Sequence, residues 1–211
     1  IWLGHFGRGL VNSPNDFGTR GEKPSHPALL DYLATRFRED GYSIKKLHKQ
    51  ILMSRAYQTA SGHDAASATK DPKNAFYWRF DRRRLTAEEI RDTMLAASGQ
   101  LDLTMPGAHP FPPRGSYVYT QHHPFVADLD KFDHRHRSVY LLQQRFRRNP
   151  YLELFDGPDP NNTTPSRSDN ISALQSLYFM NNDFVARQAE ALAARVALDS
   201  DSLPARVDQA Y

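Results

Sequence analysis

Glycine and proline punctuation limits this chain more than any other feature, because it leaves room mainly for short helices between irregular segments. Residues 1–34 contain Gly4, Gly7, Gly9, Gly18 and Gly21 together with Pro14, Pro24 and Pro27, and 105–115 and 150–169 are again rich in Pro, Gly, Asn and Asp. The stretches between them carry helix signals. Ser25 predicts an N-cap for a helix with Pro27 in its first turn, Leu29, Leu33 and Phe37 on one stripe, and Gly41 as its stop. Ser43 predicts the cap of a second helix, with Ile44, Leu47, Ile51 and Leu52 facing inward, and two helices so closely linked form an antiparallel pair. Thr86 and Glu89 predict a capping box, stapled by Leu85 and Ile90 and running to Gly99.

Ser138 to Leu142 is the best strand candidate, and a helical region spans about Ser172 to Val196. The expected fold is therefore mainly α: a helical domain with long Pro/Gly-rich loops and one short β element. A single domain covers 1–211, with a weak sub-boundary in 100–115.

At 211 residues, 39% hydrophobic and 24% charged, the chain has enough apolar surface for one large core or two small ones, which excludes wholesale disorder. No run of about 18 apolar residues is present, so no membrane span is expected in this segment, and no charged-then-apolar leader opens it. The start at Ile1 and the amphipathic stretch from Ala205 to Tyr211 read as an internal fragment of a longer protein. With zero cysteines, disulfides, thiolate metal sites and a covalent haem attachment within these residues are excluded.

Five of the nine histidines fall between His109 and His136. Within that stretch His122, His123, His134 and His136 lie near Asp128 and Asp130, a set of imidazoles and carboxylates that suits a divalent transition metal such as Zn, Fe, Mn or Ni. An open coordination position there would activate water for hydrolysis or redox chemistry. The plain alternative is an exposed polar loop of solvated histidines, and the lack of any established ligand spacing favours it.

A second candidate brings His5 and His26 to one pocket, where Arg8, Arg20 and His26 with the tryptophans Trp2 and Trp78 make an anion- or carbohydrate-binding site. Free amides at a helix start attract anions, and the two arginines add charge. Packing and capping alone also account for Ser25-His26-Pro27, and that simpler reading is the stronger.

Arginines interleaved with aromatics at Phe76–Arg84 and Arg135–Arg148 have the composition used for single-stranded nucleic acid. A net charge of only +3 and nearby acids argue against a nucleic-acid partner; an acidic or polysaccharide ligand fits the same arginines. The spacing Gly4-x-x-Gly7-x-Gly9 is not a dinucleotide fingerprint, Asp16-Phe17-Gly18 has no kinase companions, and no Walker loop or EF-hand loop occurs. The Asn-x-Ser/Thr sequences at Asn161, Asn162 and Asn170 matter only in a glycosylating pathway.

Several blocks carry a family likeness: Trp2, His5-Phe6-Gly7-Arg8-Gly9-Leu10, Asp16-Phe17-Gly18, Ser25-His26-Pro27, Asp40-Gly41-Tyr42-Ser43, Ser54-Arg55-Ala56-Tyr57-Gln58, Asp71-Pro72-Lys73-Asn74, Trp78-Arg79-Phe80, and Leu152-Glu153-Leu154-Phe155-Asp156 with Pro158-Asp159-Pro160-Asn161. In these the chain resembles the bacterial domain of unknown function found C-terminal to planctomycete-type cytochrome c domains. Gly99 to Arg135 matches poorly, and Asn170 to Gln175 departs from the Thr/Pro-rich turn that the family places there. The resemblance carries no activity with it. It implies a cytochrome c domain as partner, on the same or an associated chain, with any haem c in that neighbouring domain, and an extracytoplasmic location in the periplasm or at the cell surface. The leading expectation is an uncharacterised domain working with that partner. A metal-dependent hydrolase or oxidoreductase and an anionic-ligand or carbohydrate-binding module are the alternatives.

Overall fold

A computed structural model describes residues 1–107, 118–119, 124–125, 134–143, 145, 148–168, 170–199 and 202–210. The chain is mainly helical, as the punctuation predicts, and divides into two compact units, Ile1–Arg84 and Leu85–Tyr211. No helix among the described residues is long and apolar enough to cross a membrane.

The first unit holds α1 (Trp2–Phe6), α2 (Pro27–Glu39), α3 (Ile44–Leu52) and α4 (Ala65–Lys70). Gly7 ends α1 at φ 73°, returning its amide to the Leu3 carbonyl, a conformation that favours glycine. Ser25 does not cap α2: His26 occupies the N-cap without a side-chain bond, and the Ser25 hydroxyl and amide both donate to the Leu10 carbonyl, at 3.2 and 2.8 Å. Pro27, preset in φ and lacking an amide hydrogen, starts the helix without that cap, which leaves Ser25 to fasten the glycine-rich block.

Helix α2 stops before Gly41, and α3 is capped by Ser43, which accepts the Lys46 amide. The two helices pack on one another, but the inward face of α3 is narrower than its apolar pattern suggests. Ile51 is buried whereas Ile44 and Leu52 are exposed. Leu52 stands about 100° around the helix from Ile51, and Ile44, in the first turn, tilts toward the open N-terminal end. Phe6, Leu10 and Ile51 are the buried apolar residues of this unit, with Asn74 buried among the polar ones.

The second unit holds α5 (Ala87–Ala97), the strand pair β1 (Val118–Tyr119) and β2 (Pro124–Phe125), and then α6 (Pro150–Leu154), α7 (Ala173–Asn181), α8 (Asp183–Asp199) and α9 (Leu203–Ala210). The Thr86–Glu89 capping box forms in both directions, with the Glu89 amide donating to Thr86 Oγ1 and the Thr86 amide to Glu89 Oε2. Gly99 at φ 72° lies just beyond the end of α5. Ser138–Tyr140 is a 3-10 turn rather than the expected strand, because its first amide donates to Asp92 Oδ1 at 2.7 Å instead of to a ladder partner. Strands β1 and β2 pair antiparallel, with Val118 opposite Phe125, and a single parallel bridge joins Asp102 to His136.

Ala87, Tyr151, Leu152 and Phe155 form the core of this unit, with Ile90, Leu154 and Tyr178 against it. Tyr151 buries its hydroxyl by donating to the Ala87 carbonyl at 2.6 Å, and burial pushes its pKa far up. Asn149 accepts the Tyr151 and Leu152 amides and Pro150 sits at the first helical position, so α6 is five residues long yet firmly started. A capping box from Ser172 to Gln175 opens α7, although this stretch departs from the resembling family.

Gly157 closes the turn after α6 by donating to the Leu152 carbonyl, and a Cβ there would stand 2.7 Å from that oxygen and 2.8 Å from the Leu152 Cβ. Gly157→Ala should therefore destabilise the second unit by about 1–3 kcal/mol, read as a lower midpoint in urea denaturation followed by circular dichroism.

Candidate ligand-binding site

The most constrained surface in the first unit is the turn from Asp71 to Asp81. Asp71 opens it as an acidic turn residue followed by proline should. Its carboxylate accepts the amides of Ala75 and Phe76, both at 2.8 Å, and its carbonyl accepts the Trp78 indole N–H at 2.9 Å. Those bonds, the Phe76 amide foremost, hold its carboxyl below the usual carboxylate range.

Two residues of the turn have positive φ, Asn74 at 50° and Tyr77 at 55°. Asparagine tolerates that region; tyrosine does so rarely, and such strain costs about 1–3 kcal/mol unless the surroundings over-determine it. Here they do. The buried Asn74 side chain donates to the Arg79 carbonyl at 2.9 Å and accepts its amide at 3.4 Å. Arg8 donates to the carbonyls of Lys73, at 2.8 Å, and Asn74.

Three of the five residues expected to bind a ligand meet on Tyr77. The Trp2 indole N–H donates to the Tyr77 hydroxyl at 2.9 Å, the Arg8 guanidinium lies over its ring at 4.7 Å, and the His26 ring is 5.7 Å from it. Trp78 is next in the chain, under the Arg79 guanidinium at 4.9 Å, whereas Arg20 is exposed in the loop before α2. The geometry alters their roles. Arg8 has two carbonyls and Asp81, at 3.7 Å, as partners, so its charge is balanced within the unit. Both indole N–H groups already have acceptors.

His26 keeps a free function. Ser25 gives its hydroxyl hydrogen to the Leu10 carbonyl, so it accepts from His26 Nδ1 at 3.0 Å, and a neutral His26 then carries its lone pair on Nε2. Phe76 lies edge-on to that ring at 5.9 Å and is 77% exposed. Sequence reasoning places Phe76 and Tyr77 in the aromatic and arginine cluster Phe76–Arg84 but not with Trp2, Arg8 and His26; the αL residues that bring them together are visible only in the fold.

His48 was missed as well. It projects from α3 to meet His5 of α1, with His5 Nε2 and His48 Nδ1 at 2.7 Å, one proton shared between two part-buried rings, and Tyr57 edge-on to His5 at 5.6 Å. Burial first, and the neighbouring His48 second, lower the His5 pKa.

Of the expected metal ligands, His122, His123, Asp128 and Asp130 lie outside the described residues. His134 and His136 have ring centroids 5.6 Å apart, and Asp102 Oδ2 stands 3.3 Å from His136 Nδ1. Their segment is anchored by the buried Arg91 of α5, which donates to the carbonyls of His134 and of His136, the latter at 3.0 Å, and to Ser138 Oγ at 3.3 Å. Among the described residues no group of three or more His, Asp or Glu side chains is arranged to hold a metal ion.

One family matches the chain from residue 1 to residue 211, that of PSD1, a protein of unknown function (DUF1553). The chain belongs to the PSD1 family. No curated protein and no solved structure matches it.

What the first unit of this PSD1 chain offers chemically is a rigid aromatic surface with imidazole nitrogens at its edge, and the His5–His48 pair makes it sensitive to acid. A His whose folded pKa lies below its unfolded value of 6.5 binds fewer protons folded than unfolded in that window, so stability falls as pH drops below 6.5 and is fully present above it. Urea denaturation should show lower stability at pH 5.5 than at pH 7.5, and His5→Gln should flatten that part of the pH profile.

Proposed function

We propose that this PSD1 chain is a non-catalytic recognition domain of a larger extracytoplasmic protein, periplasmic or at the cell surface, that works with a cytochrome c domain. Its own contribution is a carbohydrate-binding face at the Asp71–Asp81 turn. The partnership and the location rest on the resemblance carried by the His5–Leu10, Asp71–Asn74 and Leu152–Asn161 blocks.

The binding face rests on one observation: Phe76 presents a ring that is 77% exposed from a turn whose backbone has positive φ at Asn74, two residues before it, and at Tyr77, directly after it. An exposed ring gains nothing for the fold, whereas a rigid ring with a hydrogen-bond acceptor beside it, His26 Nε2, matches the apolar face and hydroxyl rim of a sugar. Arg8 is neutralised by Asp81 and by main-chain carbonyls, which favours an uncharged carbohydrate over an anion.

Titration of the purified chain with neutral oligosaccharides, followed by calorimetry and by chemical shifts of Phe76 and His26, tests the binding face. Phe76→Ala should weaken binding about two- to tenfold without lowering the thermal midpoint; equal affinity in the variant would remove this reading. For the partnership, native protein purified from its source should carry c-type haem absorbance on the same or a tightly associated chain, and a haem-free complex would refute it.

A further inference from the structure

The loop after α6 in the second unit forms a polar cleft of ≈ 290 Å³. That is near the lower end of the range that holds a small molecule, and room for one or two sugar rings. Its Gly157–Pro160 side is firmly held: Gly157 is pressed against the Leu152 carbonyl, Pro158 and Pro160 fix φ on either side of Asp159, and Leu152 and Phe155 anchor the base in the core.

Both arginines in the wall are matched, and the carboxylates of Asp156 and Asp159 line it as well. Arg148 pairs with Glu153 at 3.2 Å, and Arg167 makes a bidentate pair with Glu88. Neither guanidinium is left bare for a phosphate or sulfate. Thr164, Ser166 and Ser168, all exposed, line the same cleft, and among the described residues their hydroxyls make no hydrogen bond within the chain. Asp159 is oriented by the Asn161 amide at 2.9 Å and the Asn162 side-chain N–H at 2.7 Å, which leaves lone pairs on an ionised carboxylate.

We infer that this cleft is a binding site for a neutral saccharide, with Thr164, Ser166 and Ser168 exchanging hydrogen bonds with sugar hydroxyls and Asp159 accepting from them. Paired arginines, carboxylate acceptors and unengaged hydroxyls suit a polyhydroxylated, uncharged ligand, which needs many modest hydrogen bonds and no anion-binding cation. The site belongs to the second unit and does not depend on the Phe76 surface of the first.

The test uses the whole chain carrying Phe76→Ala, so that the first unit's surface is silent. Glucose-, xylose-, mannose- and galactose-based neutral oligosaccharides are titrated by calorimetry and saturation-transfer NMR, with inorganic sulfate and phosphate as competitors. At least one sugar series should bind. The combined change Thr164→Val, Ser166→Ala, Ser168→Ala should weaken it about tenfold or more with the thermal midpoint unchanged, and sulfate and phosphate should not displace it. Ser166→Trp, which fills the cleft, should abolish binding and serves if the triple variant proves unstable. No binding by any series, full affinity in the folded triple variant or in Ser166→Trp, or displacement by sulfate or phosphate would each overturn the assignment.

Discussion

Guanidinium groups hydrogen-bonded to main-chain carbonyls hold the irregular parts of both units in place. Arg91 is the strongest case: its side chain is 3% exposed, it leaves α5 to reach the carbonyls of His134 and His136, and it covers the Phe184 ring at 5.5 Å. Burial pulls its pKa down while Asp92 opposes that shift, so the charge is kept and neutralised in place. Arg8 serves Lys73 and Asn74 in the same way, and Arg195 of α8 reaches the last carbonyls of α5 at Ala96 and Ala97. A planar fork of several donors can satisfy two carbonyls at once; an ammonium cannot do so with the same geometry. With few long helices to bury carbonyls in ladders, the chain uses arginine for the purpose.

The same device explains how the first unit supports a strained turn. Asn74 and Tyr77 remain in the left-handed region because Asp71, the Asn74 side chain and Arg8 fix the chain before and after them. That strain presents the Phe76 ring outward beside His26, so an interaction that looks purely structural sets the geometry of the surface read here as a binding face.

Much of the helical content was legible because caps are local. Thr86 with Glu89, Ser43 and the Gly41 and Gly99 stops act within a few residues, and the helices begin and end where those signals say. Ser25 misled because its hydroxyl has a partner fifteen residues back, at Leu10, that no local pattern shows. The 138–142 segment failed as a strand for a similar reason, since Asp92 and Arg91, 46 and 47 residues earlier, take its polar groups. In the candidate site, Trp2, Arg8 and His26 were visible as unusual residues, but their meeting at Tyr77 spans 75, 69 and 51 positions of sequence. Neither unbalanced charge nor motif spacing marks such a convergence.

Those long reaches govern the order in which the chain assembles. Short capped helices close within microseconds, yet the Arg8 contacts wait for residues 65 and 66 positions later and the Arg195 contacts for residues 98 and 99 positions earlier. During synthesis the glycine-rich opening therefore emerges without its partners, and the first unit locks only once Asn74 and Asp81 have left the ribosome. The second unit waits for Arg195 of α8. Until then α5 has its Arg91 and Tyr151 contacts but its last carbonyls lack their guanidinium partner, which leaves that end of the nascent chain most open to proteases and to wrong pairing.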